Sequence, residues 1–164
     1  MQPEIVSIDP KLLVGLKTEM SFSENKTATL WQTLMPKKHL VSAKSDVLFS
    51  VEVYPDLNFF KTFDPTKTFE KWAAVEVDSV KNLAEDFELL KISEGLYAKF
   101  IYRGKASEAA TFYSKIFGEW LPNSEYRLSN RPHFAVMGEK YKGEEATSEE
   151  EIFIPIEKLS LIHI

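Results

Sequence analysis

Large apolar side chains recur along the chain in a pattern that is laid down twice. Leu30, Trp31, Leu34 and Met35 are matched 82 positions later by Phe112, Tyr113, Ile116 and Phe117, each set following an i, i+1, i+4, i+5 spacing. That spacing gathers four side chains on one stripe of a helix. Each stripe is followed by two β-rich runs. After the first come Val51-Glu52-Val53-Tyr54 and Trp72-Ala73-Ala74-Val75-Glu76-Val77; after the second come Phe134-Ala135-Val136-Met137 and Glu151-Ile152-Phe153-Ile154-Pro155-Ile156. Both halves read strand, helix, strand, strand, so the expected class is α+β, with the halves at about residues 5–80 and 85–158 of one domain spanning 1–164. A groove between two like halves is a natural place for a small ligand.

Local signals refine the elements. Residues 12–22 read as a strand, and Ser23 or Asn25 is placed to cap a helix over 26–35, which Pro36 ends or kinks. Residues 48–54 and 71–77 read as strands. Between them, 55–68 carries two prolines and Phe59, Phe60 and Phe63 without a period, which predicts a loop whose rings cover something. Residues 78–86 form a connector with a short helical turn at 80–84. Then come strands at 87–92 and 95–103 with a tight turn at Ser93-Glu94-Gly95. Ser107 is expected to cap the second helix, with Glu108 in its first turn. Strands at 132–137 and 150–156 close the chain, separated by a charged, mobile loop at 140–149.

Strand alternation sorts side chains by face. Ile152, Ile154 and Ile156 share one face of the last strand, and Ala73, Val75 and Val77 share one face of its counterpart; both sets suit the helices. Glu151, Phe153 and Pro155 lie opposite, as do Trp72, Ala74 and Glu76. Glu52 and Tyr54 lie opposite the valines of their strand. The expectation is a single surface carrying Glu52, Tyr54, Trp72, Glu151 and Phe153. Aromatic faces and a carboxylate suit a flat, cationic or polarised organic molecule.

Composition narrows the chemistry. A net charge of −5 without a basic run argues against direct nucleic-acid binding. The absence of cysteine excludes disulfides, thiol catalysis and thiolate metal sites. His39, His133 and His163 stand far apart, outside any metal-ligand spacing, and read as surface or edge histidines. No nucleotide-binding glycine motif or serine elbow is present, and no cofactor is implied. The start lacks the features of a signal peptide and no apolar run is long enough to span a bilayer, so a cytoplasmic protein is expected.

Five pieces of the C-terminal half carry a family resemblance. They are Glu94-Gly95-Leu96-Tyr97-Ala98-Lys99-Phe100, Tyr102-Arg103-Gly104, Trp120-Leu121-Pro122, Pro132-His133-Phe134, and the closing Glu151-Ile152-Phe153-Ile154-Pro155-Ile156. In order and spacing they resemble the GyrI-like small-molecule-binding domain, the effector-binding domain of bacterial transcription activators. The resemblance implies duplicated strand-helix-strand-strand units about a pseudo-twofold axis, with an antiparallel sheet backed by helices and a ligand groove between the halves. It also implies a pocket glutamate, which by motif position is Glu151, and a wall of aromatics. Trp72, Tyr54, Phe153 and Tyr97 are the candidates here. The family's second glutamate motif is replaced by Ala135 and Met137, a departure favouring a larger, more apolar ligand; Glu52 and Tyr54 keep that motif's shape in the first half. With no room for a helix-turn-helix module, the chain is expected to be a stand-alone member. Such members include drug-binding proteins, a gyrase-inhibiting protein and enzymes that hydrolyse cyclopropane-bearing compounds. The expected function is binding of an aromatic or amphipathic, possibly cationic, molecule. The alternatives are hydrolysis with Glu151 as general acid/base, and inhibition of a protein partner.

Overall fold

A computed structural model describes residues 2–61, 64–80 and 82–159. Nine strands form an antiparallel sheet: β1 (Glu4–Ile8), β2 (Lys11–Met20), β3 (Leu48–Val53), β4 (Phe69–Val77), β5 (Glu88–Ile92), β6 (Gly95–Arg103), β7 (Tyr126–Leu128), β8 (His133–Met137) and β9 (Glu149–Lys158). Two helices, α1 (Thr27–Leu34) and α2 (Ala109–Lys115), lie against one face. The sheet order is β1-β6-β9-β8-β3-β4-β2-β5, with β7 added beside the end of β9. The order is symmetric about the β8–β3 contact, where Ser50 pairs with Ala135.

The strand–helix–strand–strand pattern is present in both halves, but the first half has one strand more, β1, and the second has two, β5 and β7. β1 and β5 are exchanged: β1 pairs with β6 of the second half, and β5 pairs with β2 of the first. The turn at Ser93-Glu94 therefore does not make a hairpin; β5 ends the sheet order and β6 lies one strand in from the other end. Only two residues join β1 to β2, and two join β5 to β6. Such short links bring the ends of the sheet together, so the sheet curls. Gly95 takes φ 153, and a Cβ there would sit 2.3 Å from Arg131 Nη1.

The curled interior is a core in its own right. Leu13, Phe49, Val51, Trp72, Ile92, Tyr97, Phe134 and Phe153 pack there with Ile8. On the other face, Leu30 and Leu34 of α1 pack on Val14, Leu16, Ala73 and Val77. Ile116 at the end of α2 packs on Phe100, Ile152, Ile154 and Ile156. Leu34 and Ile116, equivalent in the sequence repeat, are both fully buried.

Boundaries differ from the sequence reading where tertiary contacts decide. Asn25, not Ser23, receives the Thr27 amide at the start of α1. Pro36 converts the helix to a 3-10 turn over Met35–Leu40. Ser107 does not cap α2; instead Glu144 accepts hydrogen bonds from its amide and hydroxyl, at 2.8 and 2.7 Å. The loop ahead of β9 is thus tied to the helix start. Residues 78–80 and 82–84 are irregular, not helical.

Candidate functional site

Register divides the expected site residues between two faces. Trp72, Tyr97 and Phe153 belong to the curled interior, at 3%, 0% and 9% exposure. Phe153 stacks on Phe134 at 4.7 Å, and Tyr97 meets Phe134 edge-on at 5.2 Å. The Tyr97 hydroxyl donates to Pro132 O, and the Trp72 indole donates to Glu70. These rings are satisfied core. Glu151 lies on the same face but at its rim, with its side chain 41% exposed and paired with Lys99 at 3.0 Å. Similar ion pairs, Lys11–Glu76 and Lys17–Glu70, edge the first half.

Glu52, Tyr54 and Met137 lie on the helix-side face, so the single surface expected across three strands does not exist. The cause is the β3 register. Val51 pairs with Trp72 and Phe134, whereas Glu52 pairs with Lys71 and His133. Paired residues share a face, so the valines, not Glu52, join Trp72.

The helix-side face holds a polar patch where β3 and β8 run between the two helices. Lys71 is 8% exposed, and its ammonium donates to Glu52 Oε2 at 2.5 Å and Ser50 Oγ at 2.6 Å. Glu150, adjacent to the expected Glu151, projects to this side. Burial is the main force raising its carboxyl pKa, with the charge of Glu52 adding to it and Lys71 opposing it. Burial, reinforced by Glu52, also pushes the Tyr54 and Tyr113 hydroxyls well above their usual range, so both remain protonated. His133 is 5% exposed, not the surface residue expected. Burial, aided by the positive charge of Arg131, lowers its pKa to about 3, so the imidazole is neutral.

Aromatic rings roof this patch. Residues 55–61 and 64–68 link β3 to β4, and the loop does cover something. Phe59 is buried against Tyr54, Phe22 and Phe69. Phe60 crosses to the other half and stacks on Phe117 at 4.3 Å with 11° between the planes. Tyr54 meets both Phe60 (4.7 Å) and His133 (4.8 Å) edge-on. Phe63 and His163 lie outside the described residues.

A cavity of about 600 Å³ has Leu57, Lys61, Leu121, Pro122 and Tyr126 among its walls; Tyr54, Phe60, Phe117 and His133 do not line it. Leu57 and Lys61 flank Phe60 in sequence, and Leu121 is one helical turn beyond Phe117. Such a volume suits a drug-sized molecule. No group of metal-ligating side chains occurs among the described residues, and none of their helices is long and apolar enough to cross a membrane.

The sequence reading missed Lys71, Glu150, His133, Phe117 and Tyr113 as groove residues. Parity along β9 alone could have flagged Glu150, because it shares a face with the helix-side isoleucines. Lys71 shares parity with Ala73 and Val75 in the same way.

Comparison with known proteins accords with this architecture. Residues 1–157 match the family described as the GyrI-like small molecule binding domain. No protein of curated function matches the chain. Among solved structures, SAV2435 bound to tetraphenylphosphonium superposes with a TM-score of 0.72 at 14% identity, covering 96% of this chain and 94% of that one. EcmrR in its DNA complex gives 0.68 at 16% identity, covering 96% of this chain and 58% of that one. A hydrolase encoded by lin2189 from Listeria innocua gives 0.55 at 11% identity, covering 95% and 92%. At these identities the likeness is one of fold.

Proposed function

The chain belongs to the GyrI-like small-molecule-binding family, and from that premise we propose that it takes up a flat aromatic organic molecule between Tyr54, Phe117 and His133. The observation that carries this reading is Phe60. A side chain from a loop is stacked on Phe117 inside a box of rings, over a buried polar patch. Phe60 occupies the place where a ligand ring would lie. One ring stack contributes only about 0.5–1.5 kcal/mol beyond area burial, so a larger aromatic surface can displace it. A neighbouring fold is recorded with tetraphenylphosphonium, an aromatic ligand of this size class.

Titration with aromatic compounds, followed by tryptophan emission and calorimetry, tests the placement. Phe117→Ala is expected to weaken binding about tenfold, the loss of one stacking surface and its buried area. Glu151→Gln, on the opposite face, is expected to leave affinity unchanged. The reverse pattern, with sensitivity at Glu151 and none at Phe117, would move the site to the rim of the curled interior.

A second reading rests on Glu150. A carboxyl whose pKa is raised by burial is suited to act as a general acid, and a hydrolase from Listeria innocua has a like fold. If the same compounds are cleaved, Glu150→Gln should abolish product while preserving binding; unchanged turnover in that variant rules this role out.

A further inference from the structure

We propose that the cavity walled by Leu57, Lys61, Leu121, Leu128 and Leu159 is a second small-molecule site, separate from the groove, and that it takes an organic anion with an aliphatic body, such as a medium-chain carboxylate. At about 600 Å³ it is large enough for such a guest, and none of the groove's rings lines it. A guest can therefore enter it without displacing Phe60 from Phe117. Its walls are mostly apolar, and two of the leucines, Leu57 and Leu159, are left 44% and 50% exposed. Large apolar side chains held open around one concavity mark a place that an apolar body stabilises by covering.

The first half of the molecule shows what covers the corresponding place. There a smaller cavity, of about 330 Å³, lies between Leu40, Val41 and Ser42, which follow α1, and Val77 at the end of β4. The larger cavity lies between Leu121 to Leu128, which follow α2, and Glu157 and Leu159 at the end of β9. In the first half Val80, Ala84 and Phe87 of the connector pack over this place, against Val14, Leu34 and Val77. Apolar side chains fill the one position, so a guest of like polarity suits the other. Charge sets the guest's head group. Lys61 and Arg127 line the larger cavity with one carboxylate, Glu157. Arg127 Nε already donates to Glu157 Oε1 at 2.6 Å, whereas the Lys61 ammonium has no partner among the described residues. A carboxylate on the guest supplies that partner. The groove, by contrast, holds two carboxyl groups, Glu52 and Glu150, beside the one ammonium of Lys71. An anion is thus directed to the cavity and away from the groove.

Octanoate and octylammonium share a chain and differ in the sign of the head group, so the pair separates charge from shape. Calorimetry at low salt and pH 8 is expected to show octanoate binding about fivefold more tightly than octylammonium, the size of one solvent-exposed ion pair. Lys61→Glu is expected to invert that preference. Leu57→Asn is expected to weaken both probes about threefold, through lost apolar contact. Both side chains are exposed, so these variants keep the fold. Phe117→Ala is expected to leave octanoate affinity unchanged. Equal or tighter binding of octylammonium by the wild type, or an octanoate preference that survives Lys61→Glu, overturns the choice of an anion. Loss of octanoate binding in Phe117→Ala places the probe in the groove and overturns the second site. The same titration on a chain shortened after Leu159 adds a further check. Octanoate binding to that chain but not to the full one would give the cavity to residues 160–164, and binding to neither would remove the site; both results overturn the proposal. The groove is tested separately by its aromatic ligands, so its reading stands or falls independently of these outcomes.

Discussion

At the scale of single residues, the groove holds two titratable groups whose pH dependences have opposite signs. His133 is neutral in the fold, its pKa carried from 6.5 to about 3 first by burial and then by Arg131. The unfolded chain protonates near 6.5 and the folded one near 3. Between these values the unfolded state binds more protons, so stability is lost as pH falls, at up to about 1.4 kcal/mol per pH unit. Glu150 behaves oppositely. Its carboxyl pKa is raised, so whatever stability it contributes is present at acid pH and is lost as pH rises through its folded value. The imidazole has the larger shift and should dominate. His133→Phe is therefore expected to flatten the fall in stability between about pH 6 and pH 4, the range that lies within its two pKa values. Denaturant midpoints measured across that range check it; an unchanged slope would mean that the ring is solvated and protonates in the fold.

At the scale of elements, the loop between β3 and β4 decides whether the groove is open. It is pinned at its root by Phe59, by the Asp56 and Asp64 side chains accepting amide hydrogen bonds, and by Ser23 N donating to Pro65 O. Phe60 reaches across to the second half. Its stack on Phe117 competes with any ligand ring for one surface, so Phe60→Ala is expected to tighten ligand binding by about three- to tenfold, the equivalent of 0.5–1.5 kcal/mol. Calorimetry on the variant and the parent measures this. Weaker binding would assign Phe60 to the ligand's wall, not to its place. That the loop covers something was legible from its unperiodic aromatics. What it covers was not, because the facing rings, Tyr54 just past β3, His133 of β8 and Phe117 just past α2, are distant in sequence. Gly95–Arg103 was read to its exact ends because turn chemistry bounds it on the left and polar residues on the right. The face of Glu52 was misjudged for a different reason. Alternation gives relative parity within a strand, but only pairing fixes parity between strands, and Val51–Trp72 pairing put the valines with the tryptophan.

At the scale of the whole molecule, the duplication is interlocked. The repeat in the helices was readable because both copies bury the same positions, Leu34 and Ile116. The exchange of β1 and β5 was not readable, since a five-residue strand carries no mark of its partner, and Glu4–Ile8 alternates in the same way whichever neighbour it has. The exchange has a consequence for folding. Ile8 from the first half and Ile92 from the second complete one interior with Leu13, Trp72, Tyr97 and Phe153, residues drawn from both halves. A half alone would keep its helix contacts but would leave that apolar face exposed, along with the unpaired edge of β2 or β6. Few-strand sheets with an uncovered face are marginal in water. Fragments 1–84 and 85–164 are therefore expected to be largely unfolded or aggregated when separate, and to regain structure when mixed at equal concentration. Circular dichroism and the tryptophan emission of Trp72, buried only when both halves are present, follow the recovery. If either fragment folds alone with Trp72 emission as blue-shifted as in the intact chain, each half closes its own core and the exchanged strands are dispensable.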